Sequence, residues 1–248
     1  MNLGAMHNTP GDVGSYGLLY QWGRKDPFPA APTLTGTTAT VGAPIYDGDD
    51  NEIKITNSSQ SSTADNNLAF AIANPTVCLS NYAQFNTSRD WLQADMSNDA
   101  LWGNPKGAER NETNDFLNKG AKSFYDPCPV GWRVPPADVF RNFTASGGYA
   151  WVIDDFDIAD ISGDGAKSLA DYDYGWTFNL SDSASSYFPA AARFDGSYAM
   201  LMGSMSGLWG SYWGNAPYPG DMFQGGAYSV LSFQIKDTAG NEMITTSP

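Results

Sequence analysis

The stretch Tyr125-Asp126-Pro127-Cys128-Pro129-Val130-Gly131-Trp132-Arg133-Val134-Pro135-Pro136 gathers many conformationally special residues into twelve positions. Pro127, Pro129 and Pro135 fix φ and push the residue before each toward extended geometry. Gly131 permits a turn, and Trp132 brings an aromatic surface that asks for a large apolar pocket. The segment therefore reads as a rigid, buried corner. Just downstream, Pro135-Pro136 before Ala137-Asp138-Val139-Phe140-Arg141-Asn142-Phe143, with Gly147-Gly148 beyond, spell a helix. Proline stands in its first turn and glycine at its end, and Val139, Phe140 and Phe143 are expected to face inward.

Working outward, residues 1–26 combine a strand-like start, a Thr9-Pro10-Gly11-Asp12 turn and an aromatic segment at Tyr20 and Trp22 that belongs to the core. Residues 28–67 turn to Pro, Thr, Ser, Gly and Asn, with short alternations such as Glu52-Ile53-Lys54-Ile55-Thr56, and read as a loop-rich insertion carrying one or two edge strands. Thr87-Ser88-Arg89-Asp90-Trp91-Leu92 has the composition of a capped helix start, and residues 98–122 of a long ordered loop anchored by Leu101-Trp102. From Tyr187 onward, runs such as Ala227-Tyr228-Ser229-Val230-Leu231-Ser232-Phe233-Gln234-Ile235 alternate at period two, as antiparallel strands facing one core do.

The combination Cys128-Pro129-Val130-Gly131-Trp132-Arg133-Val134-Pro135 leading into a short helix resembles the Fibrobacter succinogenes major paralogous domain, found in Bacteroidota surface proteins and fimbrillin-like adhesins. The likeness extends to Asn2-Leu3-Gly4-Ala5, to Gly17-Leu18-Leu19-Tyr20-Gln21-Trp22-Gly23-Arg24, and to Tyr187-Phe188-Pro189-Ala190-Ala191 through Leu208-Trp209-Gly210-Ser211-Tyr212-Trp213. It implies an α+β, C-type-lectin-like domain over residues 1–248, with few short helices, small antiparallel sheets and long ordered loops. It also implies a disulfide from Cys128 to a cysteine of a final strand that this chain lacks. The chain is thus expected to be a fragment of a longer surface protein. Met1-Asn2-Leu3 begins where the family is usually reached from an upstream strand.

Among 248 residues, 42% are apolar, with 8 Trp, 13 Tyr and 13 Phe, enough to bury a substantial core; 26 Gly and 15 Pro indicate many loops. The 13 basic and 27 acidic residues give a net charge of −14, which repels nucleic acid and anionic membranes and excludes both as partners of first choice. No stretch approaches the roughly 18 consecutive apolar residues of a membrane span. Cys78, in Pro75-Thr76-Val77-Cys78-Leu79, reads as a small buried residue in a strand, and a Cys78–Cys128 disulfide is the other pairing open to a chain with two cysteines.

The sharpest site signal is Asp160-Ile161-Ser162-Gly163-Asp164-Gly165-Ala166-Lys167-Ser168-Leu169-Ala170-Asp171. Side-chain oxygens fall at loop positions 1, 3, 5, 9 and 12, from Asp160, Ser162, Asp164, Ser168 and Asp171, and glycine falls at position 6. Calcium needs six to eight hard oxygens at about 2.3–2.6 Å, and Ala166 would add a backbone carbonyl from position 7. The segment resembles dockerin calcium loops and is expected to hold a structural calcium ion. The competing reading is an acidic, solvated loop with turn-forming glycines, since Asp154, Asp155, Asp157 and Asp173 flank it.

The stretch Leu208 to Tyr218 lies where the lectin-like resemblance places the ligand face, and Tyr212, Trp213, Asn215 and Tyr218 are the candidate contacts with a glycan or protein. Core packing of Trp209 and Trp213 is the alternative. The Glu-Pro-Asn and Trp-Asn-Asp motifs of calcium-bridged sugar sites do not occur. Catalysis is poorly provided for: the single histidine, His7, stands in a turn-rich loop, and no Gly-x-Ser-x-Gly, zinc spacing or phosphate-binding glycine loop is found. The expectation is a non-catalytic, extracellular or fimbrial adhesion module, held to the cell surface by upstream segments or a lipid anchor. Alternatives are a pilus subunit that takes a strand from its neighbour, and a phage receptor-binding protein.

Overall fold

A computed structural model of the chain describes residues 2–30, 45–53, 56–58, 67–79, 101–102, 122–135, 139–140, 143–144, 153–195, 200–201, 206–214, 229–234 and 243–246. The architecture is α+β, with few helices and small, mostly antiparallel sheets. In chain order the strands are β1 (Leu18–Tyr20), β2 (Pro27–Pro29), β3 (Ile45–Tyr46), β4 (Glu52–Ile53) and β5 (Thr56–Ser58). After the helix α1 (Asn67–Ala73) come β6 (Val77–Leu79), β7 (Gly175–Ser181), β8 (Ala184–Pro189), β9 (Phe194–Asp195), β10 (Met200–Leu201), β11 (Trp209–Trp213), β12 (Ser229–Gln234) and β13 (Met243–Thr246).

The longest ribbon, β7–β8, is antiparallel with Trp176 opposite Phe188 and Phe178 opposite Ser186. Its sequence alternates at period two, so Trp176 and Phe178 fall on one face and are both fully buried. They centre a cluster with Phe140, Phe143, Phe156, Ile158 and Ala190. Phe143 stacks on Phe178 at 5.0 Å between ring centroids, and Phe188 meets Phe143 and Tyr212 edge-on at 5.2 and 5.0 Å. Each such aromatic contributes on the order of 2–3 kcal/mol through burial. Gly175 is required at the ribbon's start, because a Cβ there would lie 2.4 Å from the Phe188 carbonyl oxygen.

A second cluster joins Trp22, Trp102 and Val134, with the Trp22 and Trp102 rings 5.5 Å apart and Trp213 edge-on to Trp102 at 6.5 Å. The core positions expected at Trp22, Phe140 and Phe143 and the anchoring of Trp102 are observed. Cys78 is buried in β6, as its apolar surroundings suggest.

Four expectations are corrected. Trp132 is 73% exposed rather than pocketed, and Val139 is 38% exposed rather than inward. Residues 2–5 form a turn, not a strand, closed by the Ala5 amide on the Asn2 carbonyl at 3.0 Å. Finally, one small sheet is parallel: β5 and β6 pair Thr56 with Val77 and Ser58 with Leu79. The helix α1 was not foreseen. The Ala71 carbonyl in its last turn, and those of Asn74, Pro75 and Val77 beyond its end, are gathered by the buried Arg24 guanidinium, which also pairs with Asp26 at 2.7 Å. The expected helix start at 87–92, most of the 98–122 loop and the Gly147-Gly148 helix end lie outside the described residues.

Candidate functional site

Three places hold the residues that the sequence singles out: the loop 160–171, the strand β11 and the proline corner. In the loop, the Asp160 carboxylate turns inward on the backbone. Its Oδ1 accepts the Gly163 amide at 2.6 Å and the Ser162 hydroxyl at 3.2 Å, and its Oδ2 accepts the Gly165 amide at 2.9 Å. Asp164 Oδ1 accepts the Ala166 amide at 2.8 Å. Asp171 is fully buried, with Oδ1 on the Ser162 amide and Oδ2 on the Ser168 amide, each at 3.0 Å. It thereby ties the start of the loop to its end, while Ser168 caps the 3-10 turn Leu169–Asp171.

Burial acts to raise the Asp171 carboxyl, but hydrogen bonds from Ser162, Ser168 and Ile161 outweigh it and hold the group below the usual carboxylate range. Lys167, from the same loop, donates to the Phe156 and Asp154 carbonyls and fastens the loop to the segment that precedes it. Among the described residues, no group of three or more His, Cys, Asp or Glu side chains is placed to hold a metal ion. As arranged, the carboxylates of Asp160, Asp164 and Asp171 serve backbone amides rather than a common point. A calcium ion would have to draw them together with Ser162, Ser168 and the Ala166 carbonyl.

On β11 the candidate ligand aromatics are engaged from within. The Tyr212 hydroxyl donates to the Pro189 carbonyl at 2.6 Å, and its ring packs on the core at Phe188. Burial pushes its phenol well above the ordinary tyrosine range. The Trp213 indole donates to the Tyr20 carbonyl at 2.9 Å. Both side chains are half-buried and hold β11 against the N-terminal segment and the β8 end, and neither stands out into solvent. Asn215 and Tyr218 lie outside the described residues.

The proline corner is organised by Asp126, which is 1% exposed. Its Oδ1 accepts the Cys128 amide and the Lys122 ammonium, both at 2.8 Å, and its Oδ2 accepts the Val134 amide at 3.0 Å. Lys122 also reaches the Cys128 carbonyl at 2.7 Å. Gly131 takes a φ of +86°, a conformation that strains side-chain-bearing residues, and closes the turn in which the Trp132 amide donates to Pro129 at 3.0 Å. Val134 enters the Trp22–Trp102 cluster, whereas Phe124, Val130 and Trp132 are 80%, 97% and 73% exposed. Sequence reading missed both Asp126 as organiser and the outward aromatics, since residue types specify a rigid corner but not which face it turns to solvent.

Cys78 and Cys128 are both free thiols, so the Cys78–Cys128 pairing that the sequence left open is not formed. Burial pushes the Cys78 thiol up to about 12 and the Cys128 thiol up to about 11, the latter with further help from the nearby Asp126 charge. His7 pairs with Asp12 at 3.5 Å on the N-terminal loop. Among the described residues, no helix is long and apolar enough to cross a membrane. No family model, no curated protein and no solved structure matches the chain.

Proposed function

We propose that this chain is a non-catalytic binding module of a bacterial surface or fimbrial protein, with a C-type-lectin-like domain that presents ordered loops to a glycan or a protein. The observation that carries the reading is the use of buried carboxylates to stiffen loops: Asp126 in the proline corner and Asp171 in the 160–171 loop each accept two backbone amides. Rigid loops on a packed scaffold reduce the entropy that ligand contact costs. The family resemblance of the corner motif adds the surface location. Probing immobilised glycans and surface proteins with the purified chain tests the reading. Saturable retention on one class of ligand supports it, and retention on none counts against it.

Calcium at the 160–171 loop belongs to the same proposal. It is supported by the oxygen spacing and by the bond from the Gly165 amide to Asp160, which already folds positions 1 to 6 into a tight turn. The ion would be structural, supplying charge compensation for a loop rich in aspartate.

A second reading, a pilus subunit joined by strand addition, is favoured by one feature. The sheet β11–β12–β13 ends on β13, which among the described residues pairs on one side only, through Leu231 with Thr246 to Gln234 with Met243. Light scattering separates the two, because a strand-exchanging subunit polymerises and a binding module stays monomeric.

A further inference from the structure

We propose that Asp164-Gly165, in the exposed part of the 160–171 loop, is a site of backbone isomerisation to isoaspartate, and that the Asp160 carboxylate holds it shut. Asp-Gly occurs at Asp47-Gly48, Asp164-Gly165 and Asp195-Gly196, and the first two pairs lie wholly among the described residues. Glycine after aspartate puts no Cβ in the way of the ring closure that this chemistry needs. Both pairs are exposed, and a Cβ on Gly48 or Gly165 would meet nothing within 4 Å. Packing therefore restrains neither of them.

The step is intramolecular. The Gly165 backbone nitrogen attacks Cγ of Asp164, the carboxyl C–OH bond breaks, and water leaves with the amide hydrogen. The cyclic imide then takes up water at either carbonyl, giving back aspartate or giving isoaspartate, in which the main chain runs through Cβ and Cγ. No oxidant or cofactor enters the balance.

What distinguishes the two pairs is the nucleophile. The Gly165 amide donates to Asp160 Oδ2 at 2.9 Å, and Asp164 Oδ1 accepts the Ala166 amide at 2.8 Å, so both reacting groups are engaged. The Asp47 carboxylate is likewise engaged by the Asp49 and Asn51 amides, each at 2.9 Å, but the Gly48 amide makes no hydrogen bond among the described residues. Ring closure at Asp164 thus waits for a local opening that breaks the bond to Asp160, and its rate follows the population of that open form. Isoaspartate lengthens the chain between Asp160 and Gly165 by one carbon, so the turn could not reclose in its old register.

The test is ageing of the whole chain near neutral pH with a chelator present, isoaspartate being located by peptide mapping and isoaspartyl methyltransferase labelling. Expected in Asp160→Ala is a rate at Asp164 about fivefold or more above the parent's, with the rate at Asp47 unchanged, as loss of a hydrogen bond to a charged acceptor implies. Asp160→Asn keeps one acceptor oxygen and should fall between the two. Hydrogen exchange of the Gly165 amide, read on the same samples, should quicken in the same order. Equal rates at Asp164 in the parent and Asp160→Ala overturn the inference. A rise of the same size at Asp47 also overturns it, because the substitution would then have loosened the chain as a whole. The outcome is separate from the binding-module reading, which the immobilised ligands decide.

Discussion

The Asp126 carboxylate accepts the Val134 amide at 3.0 Å from eight positions further along the chain, and so closes the proline corner from within. With Val134 drawn under the corner into the Trp22–Trp102 cluster, Trp132 is turned outward. Asp126→Ala would leave the Cys128 and Val134 amides and the Lys122 ammonium without their acceptor. A loss of about 3 kcal/mol in urea denaturation is expected, with Asp126→Asn losing less because one acceptor oxygen remains.

Asp171 links stability to acid. Its folded pKa lies below the unfolded value of about 3.9, so its contribution is fully present above that value and is lost as pH falls through the folded one. The stability difference between the parent and Asp171→Ala should therefore be constant near neutrality and shrink below about pH 4. A difference that grows on acidification would contradict the assignment of Asp171 as an ionised loop tie.

The two thiols should be unreactive in the folded chain. Their folded pKa values, about 12 for Cys78 and about 11 for Cys128, exceed the free value of about 8.5, so folding favours the protonated thiols. Their contribution is present below about pH 8.5 and is lost as pH rises toward the folded values. Thiol-exchange labelling at pH 8 should be slow for both, slowest for buried Cys78, and rapid in urea.

Tyr212 separates a core role from a ligand role. Tyr212→Phe removes the donor to the Pro189 carbonyl while keeping the ring against Phe188. A stability loss of about 1–2 kcal/mol is expected, with retention on glycan or protein ligands unchanged.

Calcium should raise the melting temperature of the parent and leave Asp160→Ala with Asp164→Ala unmoved. Binding by linkage stabilises in proportion to the logarithm of free ion concentration, so the shift should keep rising as calcium exceeds its Kd. A parent that melts identically with and without calcium would reduce the loop to an acidic turn whose carboxylates serve only its own backbone amides.

Much of the core was legible because period-two alternation and isolated large aromatics in Gly/Pro-rich surroundings have few other homes: Trp22, Trp102, Phe140 and Phe143 are all buried. The strand β7 carries the same alternation at Trp176 and Phe178, over a span of seven residues soon after the acidic 160–171 loop. The helix α1 is too short for helical periodicity to declare itself, and its carbonyls depend on Arg24, distant in sequence. Trp132 was misplaced for a physical reason. Proline and glycine prescribe the bend of a backbone, while the face it buries is decided by a tertiary contact, here Val134 on the two tryptophans. At the candidate site, the spacing of the 160–171 loop was readable, but the commitment of its carboxylates to backbone amides depends on backbone geometry that residue types do not specify.

The most direct test of the central claim, that the corner and the acidic loop are stiffened by buried carboxylates before any ligand arrives, is amide hydrogen exchange of the ligand-free chain. The Cys128, Val134, Ser162 and Ser168 amides, each donated to Asp126 or Asp171, should exchange as slowly as the amides that join β7 to β8. Exchange of these four at the rate of an open loop, slowing only when a ligand or calcium is added, would contradict it.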